Sequence, residues 1–191
     1  MTMKTVAMEN AVYAKLLRLK STLSHMRGRP VTFSELLEEN IRRPLTFLLI
    51  DSFLMMALRH LIGQISKSDN VHGIILFGSV AKGTYHAYSD VDLFIITEKT
   101  DSKTFDYVEK AIRNTEIEYF DRLTYSKLPM HFAPFISSLE EIDFVRPIFF
   151  DIADSGMILY DPNFAASDFI DKYASIPHSR KYIEGAEVLT W

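Results

Sequence analysis

The chain has 191 residues, 48% hydrophobic and 24% charged, with a formal net charge of −4 and no cysteine. That length fits one medium domain, or a domain with a small appendage, and the apolar share is enough for a sizeable core. The acidic balance argues against wholesale nucleic-acid binding, and the lack of cysteine excludes a disulfide framework and a thiolate zinc centre.

The opening residues, MTMKTVAMEN, lack the basic-then-apolar pattern of a secretion signal, so a cytoplasmic protein is expected. Lys4–Met8 reads as a short strand. Asn10 then caps a helix whose apolar residues Val12, Leu16, Leu19 and Leu23 step by three and four. Gly28 and Pro30 break that helix. Thr32-Phe33-Ser34-Glu35 has the form of a capping box, in which the Thr32 hydroxyl accepts from the Glu35 amide and the Glu35 carboxylate reaches back. The second helix turns Phe33, Leu36, Leu37 and Ile41 inward and stops near Arg42-Arg43. Strand–helix–helix over residues 1–43 is too little to bury a core alone, so it needs a second copy or the domain that follows. A dimerisation segment at 1–43 and a larger domain at 44–191 are therefore expected.

Pro44 suits the first turn of a new helix. The apolar stretch Leu45–Leu58 is too short to span a bilayer, carries Asp51 at its middle, and reads as a buried helix. After the polar break Ser66–Asn70, Val71–Phe77 and Val91–Thr97 are β-branched runs, read as central strands covered on both faces. Phe105–Tyr119 has helical character. Met130–Ser137 reads as a strand that Pro134 pushes toward an edge. Leu139–Asp154 is expected to be helical, broken or restarted by Pro147. Met157–Tyr160 is a short strand, and a helix runs from Asn163 to about Ser175. The alternation predicts an α+β (α/β) fold with a mixed central sheet flanked by helices.

Chemistry concentrates in Phe77–Thr97. Gly78-Ser79 is followed by ten residues and then Asp90-Val91-Asp92, with apolar strand sequence on either side. On a strand, Asp90 and Asp92 point to one face, about 7 Å apart. Two like charges at the mouth of an apolar sheet repel unless a cation lies between them. Oxygen-only ligands of this kind suit Mg²⁺, which keeps waters and completes its shell with substrate phosphates; a pair of metal ions is compatible with the same carboxylates. Gly78 lets the backbone approach a phosphate, Ser79 offers a hydroxyl and an amide, Lys82 adds positive charge, and Gly83 permits a tight turn. Ser89 reads as a brace for the Asp90 loop. A Gly-Ser pair alone is a turn and Asp-x-Asp alone is a common strand-edge pattern. Their spacing between two buried strands is what points to in-line attack on a nucleotide α-phosphate.

These residues resemble the signature of the DNA polymerase β-type nucleotidyltransferase superfamily, most of all its minimal prokaryotic members. The pattern Gly-Ser-x-Ala-[Arg/Lys]-Gly…Ser-Asp-[Ile/Val]-Asp-Leu is met at Gly78, Ser79, Ala81, Lys82, Gly83, Ser89, Asp90, Val91, Asp92 and Leu93. The resemblance spans about residues 45–160. It implies Mg²⁺ on Asp90 and Asp92, with the nucleotide triphosphate (ATP or another) on Gly78 and Ser79. Catalytic members carry a third carboxylate on a later strand. Met130–Ser137 has no acid, with His131 or Ala133 at the corresponding place and Glu140 and Glu141 just beyond it.

KTVAMENAVYAKLLRLK followed by GRPVTFSELLEENI is similar to the ribbon-helix-helix fold of small prokaryotic antitoxins. In that register Met3, Thr5 and Ala7 would face DNA, and only Thr5 can read a base by hydrogen bonding. Homodimerisation is thus a stronger expectation than operator binding. Together the resemblances imply a Mg²⁺-dependent transfer of a nucleoside monophosphate, AMP from ATP first, to a protein or other hydroxyl acceptor. They also imply an antitoxin whose partner is a HEPN-type toxin. The alternative is a catalytically weak or inactive binding homodimer, with DNA contacts through the N-terminal ribbon.

Overall fold

The computed structural model describes residues 50–183 and 186–190, residues 29–36, and Tyr13, Leu16, Leu17, Lys20, Ser21 and Ser24; for 180–183 and 186–188 it describes the backbone only. The chain divides into two compact units, Met1–Ile50 and Asp51–Trp191. The strand expected at Lys4–Met8, Thr5 within it, the Asn10 cap, the Arg42-Arg43 helix end and the Pro44 helix start lie outside the described residues.

In the first unit the capping box forms as its sequence requires. The Thr32 amide donates to Glu35 Oε2 at 2.8 Å, and the Glu35 amide donates to Thr32 Oγ1 at 3.1 Å. Arg29 closes on the other carboxylate oxygen at 3.0 Å. The Thr32 backbone bond first, then Arg29 and the Thr32 hydroxyl, hold the Glu35 carboxyl down from 4.5 to about 2. A depressed carboxylate stabilises the fold above its unfolded value, and that contribution is lost as pH falls from 4.5 through about 2. A carboxyl-carbon NMR titration should therefore place the Glu35 midpoint near 2. Thr32→Val should raise it only partly, because the largest cause is a backbone amide.

The second unit opens with α1 (Ser52–Ile65), β1 (Val71–Leu76), α2 (Gly78–Lys82) and β2 (Asp90–Thr97). It continues through α3 (Ser102–Tyr125), β3 (His131–Ser138), α4 (Pro147–Ser155), β4 (Met157–Tyr160) and α5 (Ala165–Ser175), and ends in the hairpin β5 (Ser179–Ile183) and β6 (Ala186–Thr190). The four-stranded sheet has the order β3-β2-β1-β4; β2 and β3 are parallel, while β1 is antiparallel to both its neighbours. It is a mixed sheet in an α+β domain, with β1 and β2 central as expected. Pro134 sits on the edge strand, where its missing N–H breaks no ladder.

Alternation along the central strands supplies two apolar faces. Ile75, Phe77, Phe94 and Ile96 pack with Phe149, Phe150 and Ile152 of α4 and Phe169 and Tyr173 of α5. The Phe94 ring lies 5.4 Å from Phe135, 5.6 Å from Phe149 and 4.8 Å from Phe169, spacings that favour offset aromatic packing. Ile74, Leu76, Leu93 and Ile95, all fully buried, turn to the opposite face. The inward stripes of α1 (Leu54, Leu58, Leu61, Ile65) and α3 (Val108, Ile112, Tyr119, Leu123) pack on one another. Among the described residues no helix is long and apolar enough to cross a membrane.

Several expectations about these elements need correction. Asp51 is not the middle of a helix but the cap of α1. Its carboxylate accepts the Phe53 amide at 2.8 Å, satisfying one of the donors that a helix start leaves unpaired. The helix expected at Phe105–Tyr119 begins earlier and ends later. Asp101 caps it through the Thr104 amide at 2.9 Å, and Leu123 continues the buried stripe one turn beyond Tyr119. The restart expected at Pro147 within Leu139–Asp154 is found, α4 beginning there, and what precedes it is a short 3-10 turn at Glu141–Asp143. Glu141 is occupied in that turn, its carboxylate accepting the Ser138 amide at 2.9 Å.

Candidate active site

The site is assembled where β1 runs out. The Phe77 amide donates to the Asp92 carbonyl at 3.0 Å, which ties the end of β1 to the start of β2. Gly78 follows with φ +69, a left-handed conformation in which other residues are strained. A methyl on Gly78 would overlap the Asp92 carboxylate and lie 2.9 Å from its Cγ. Glycine is thus required twice here, for the turn and for the space that Asp92 fills.

α2 carries Ser79 and Lys82 and is closed by Gly83, also left-handed at φ +66. The Gly83 amide donates to the Val80 carbonyl at 3.1 Å and the Thr84 amide to the Ser79 carbonyl at 2.9 Å. Ser89 braces the loop before Asp90: its Oγ accepts the His86 amide at 3.0 Å and its amide donates to the His86 carbonyl at 3.0 Å.

Asp90 and Asp92 flank the fully buried Val91, so both carboxylates lie on the face that carries Phe94 and Ile96. Asp90 is exposed and Asp92 half-buried. Burial first, and then the Asp90 carboxylate, push the Asp92 carboxyl above the usual carboxylate range, while the Lys82 ammonium opposes them. The charged form of Asp92 is therefore disfavoured by its surroundings. A divalent cation with oxygen preference would relieve both causes, so the two residues fit Mg²⁺ with its remaining positions left to water or phosphate. The parallel register sets His131 beside Asp90 and Ala133 beside Asp92. Among the described residues no group of three or more Asp, Glu or His is placed to hold a metal ion.

A cleft of about 420 Å³ adjoins Asp90, walled by the Ala87–Asp90 loop, Thr124, Lys127, Leu128, Met130 and His131. Two of its features were not visible in the sequence. The first is a pairing: His131 Nδ1 lies 3.2 Å from Glu116 Oε1, and the same oxygen accepts the Phe132 amide at 3.0 Å. The second is Lys127, at φ +54. It ends α3 in a Schellman-type turn, with its amide donating to the Thr124 carbonyl at 3.1 Å and the Leu128 amide to the Leu123 carbonyl at 2.9 Å. Glycine favours that position, so Lys127→Gly should stabilise the domain by about 1 kcal/mol and raise Tm by roughly 2–4 °C. A thermal melt in which this variant is no more stable than the parent would contradict the strain.

Residues 58–149, from within α1 to within α4, match the family described as nucleotidyltransferase domain. A protein of Methanocaldococcus jannaschii, provisionally named a protein adenylyltransferase, is 31% identical over 108 residues, 56% of this chain and 71% of that one. The chain belongs to the nucleotidyltransferase domain family. Among solved structures, a toxin–antitoxin crystallised with AMP-PNP aligns with 17% identity and a TM-score of 0.39 over 62% of this chain and 82% of that one. A mutant of the toxin–antitoxin MntA-HpeT aligns with 17% identity and a TM-score of 0.38 over 62% and 80%. The nucleotidyltransferase match contains both halves of the site, Gly78–Gly83 and Asp90–Asp92.

Proposed function

We propose that this nucleotidyltransferase transfers AMP from ATP to a hydroxyl of a protein acceptor. The observation that carries the reading is the seating of the Asp92 carboxylate against the Cβ-less Gly78, with Asp90 on the same strand face. The name of the Methanocaldococcus jannaschii relative supports the choice of nucleotide and acceptor class. Asp90 and Asp92 would hold Mg²⁺, which when bound neutralises phosphate charge. Gly78 and Ser79 would take the triphosphate, and Lys82 would add positive charge beside it. The chain's own part is then to align the α-phosphate and hold it for in-line attack.

The antitoxin reading belongs here as well. It rests on the likeness of residues 3–43 to ribbon-helix-helix antitoxins, and it has the chain act as a homodimer on a HEPN-type toxin. The deciding experiment supplies α-phosphate-labelled ATP and Mg²⁺ to the chain with whatever partner co-purifies. Label on a macromolecule supports transfer, and none on any acceptor overturns it.

A second reading is a nucleotide-binding regulatory homodimer, favoured by Ala133 standing beside Asp92 where a third acid would be. Calorimetric binding of Mg²⁺-ATP without pyrophosphate release would decide for it. DNA contact through Thr5 would be a separate property, and a gel shift on the chain's own promoter that stays blank at low salt would remove it.

A further inference from the structure

Resting on the transfer reading above, we propose that His131, oriented by Glu116, is the base that receives the proton of the acceptor hydroxyl. It takes the place of the acid that β3 lacks. Three observations converge on it. First, the parallel register sets His131 directly beside Asp90, on the strand that lies next to the two carboxylates. Second, His131 and Asp90 are walls of one cleft, so an acceptor entering it meets both.

Third, Glu116 is itself fixed. Its Oε1 accepts the Phe132 backbone amide at 3.0 Å, which locks the carboxylate before it meets His131 Nδ1 at 3.2 Å. An ionised carboxylate can only accept, so the neutral imidazole that suits this neighbour has its hydrogen on Nδ1, the tautomer that leaves a lone pair on Nε2. An imidazole held by a carboxylate on one nitrogen and open on the other is the arrangement a hydroxyl needs. The strand edge alone does not account for it, because the Phe132 amide is satisfied by Glu116 without any help from His131.

The step balances with these groups. The acceptor oxygen forms a bond to the α-phosphorus as its proton passes to His131 Nε2. The bond from the α-phosphorus to the bridging oxygen breaks, pyrophosphate leaves with the electron pair, and His131 returns the proton to water. Glu116 touches neither substrate and acts as a positioning residue.

The test uses the full chain with Mg²⁺ and α-phosphate-labelled ATP, following pyrophosphate release and label incorporation. His131→Gln should lower turnover roughly 100- to 10,000-fold with the KM for ATP unchanged. Glu116→Gln should lower turnover less and leave Tm unchanged, since its amide oxygen still accepts the Phe132 N–H. His131→Ala should regain turnover when free imidazole is added, a recovery that a merely structural histidine would not give. Parental turnover in His131→Gln, or no imidazole rescue of His131→Ala, overturns the proposal. If Asp92→Asn is inactive while His131→Gln is active, this inference alone fails. A parent chain that releases no pyrophosphate overturns the transfer reading and this inference with it.

Discussion

Asp92→Asn should reduce nucleotide transfer on the order of 1000-fold, since it removes one of the two charges placed to neutralise phosphate through a metal. The fold should hold as well as before, or better. Asp92 is half-buried, its burial and the Asp90 charge both resist ionisation, and Lys82 offsets them only in part. An amide of the same shape keeps the packing against Gly78 and drops the repulsion. The informative result is thus a dissociation: lost label transfer with an equal or higher Tm. Equal labelling by Asp92→Asn would remove this site from the chemistry. A loss of activity that merely followed unfolding would assign Asp92 to structure.

Gly78→Ala should cost both stability and activity, through two separate causes. Placing a Cβ at φ +69 costs about 1–2 kcal/mol in backbone strain. The new methyl also needs the space of the Asp92 carboxylate, so either the turn or the strand end must move. A displacement of about 1 Å at a reacting centre is enough for a roughly 100-fold loss of rate. Thermal melts and pyrophosphate release separate the two. Ser79→Ala is the contrast, because it removes a hydroxyl donor while leaving the turn intact. If Gly78→Ala retained parental stability and turnover, neither the left-handed backbone nor the close approach to Asp92 would be a real requirement.

The two central strands were legible because buried parallel and mixed strands demand unbroken β-branched runs, and Val71–Leu76 and Val91–Thr97 supply them. The capping box was legible because its parts lie within four residues. Pro134 announced an edge strand and Pro147 a helix start by the same local logic. Errors arose where side-chain partners decided the boundary. Asp51 looked like the middle of an apolar helix until its carboxylate was seen on the Phe53 amide. Tyr119 looked like an end because the next buried residue, Leu123, is isolated among polar neighbours.

Taken alone, the sequence determined the nucleotidyltransferase signature, the pairing of a glycine turn with two carboxylates, and the absence of an acid from the strand after them. Those are matters of residue type and short spacing, which the chain carries locally. Only the tertiary structure decided what surrounds them. It seated Asp92 against Gly78, set Ala133 rather than an acid beside it, and brought Glu116 of the preceding helix onto His131 and the Phe132 amide. Such contacts depend on the register between strands and on the angle at which a helix crosses them. Neither is written in the spacing of any one segment.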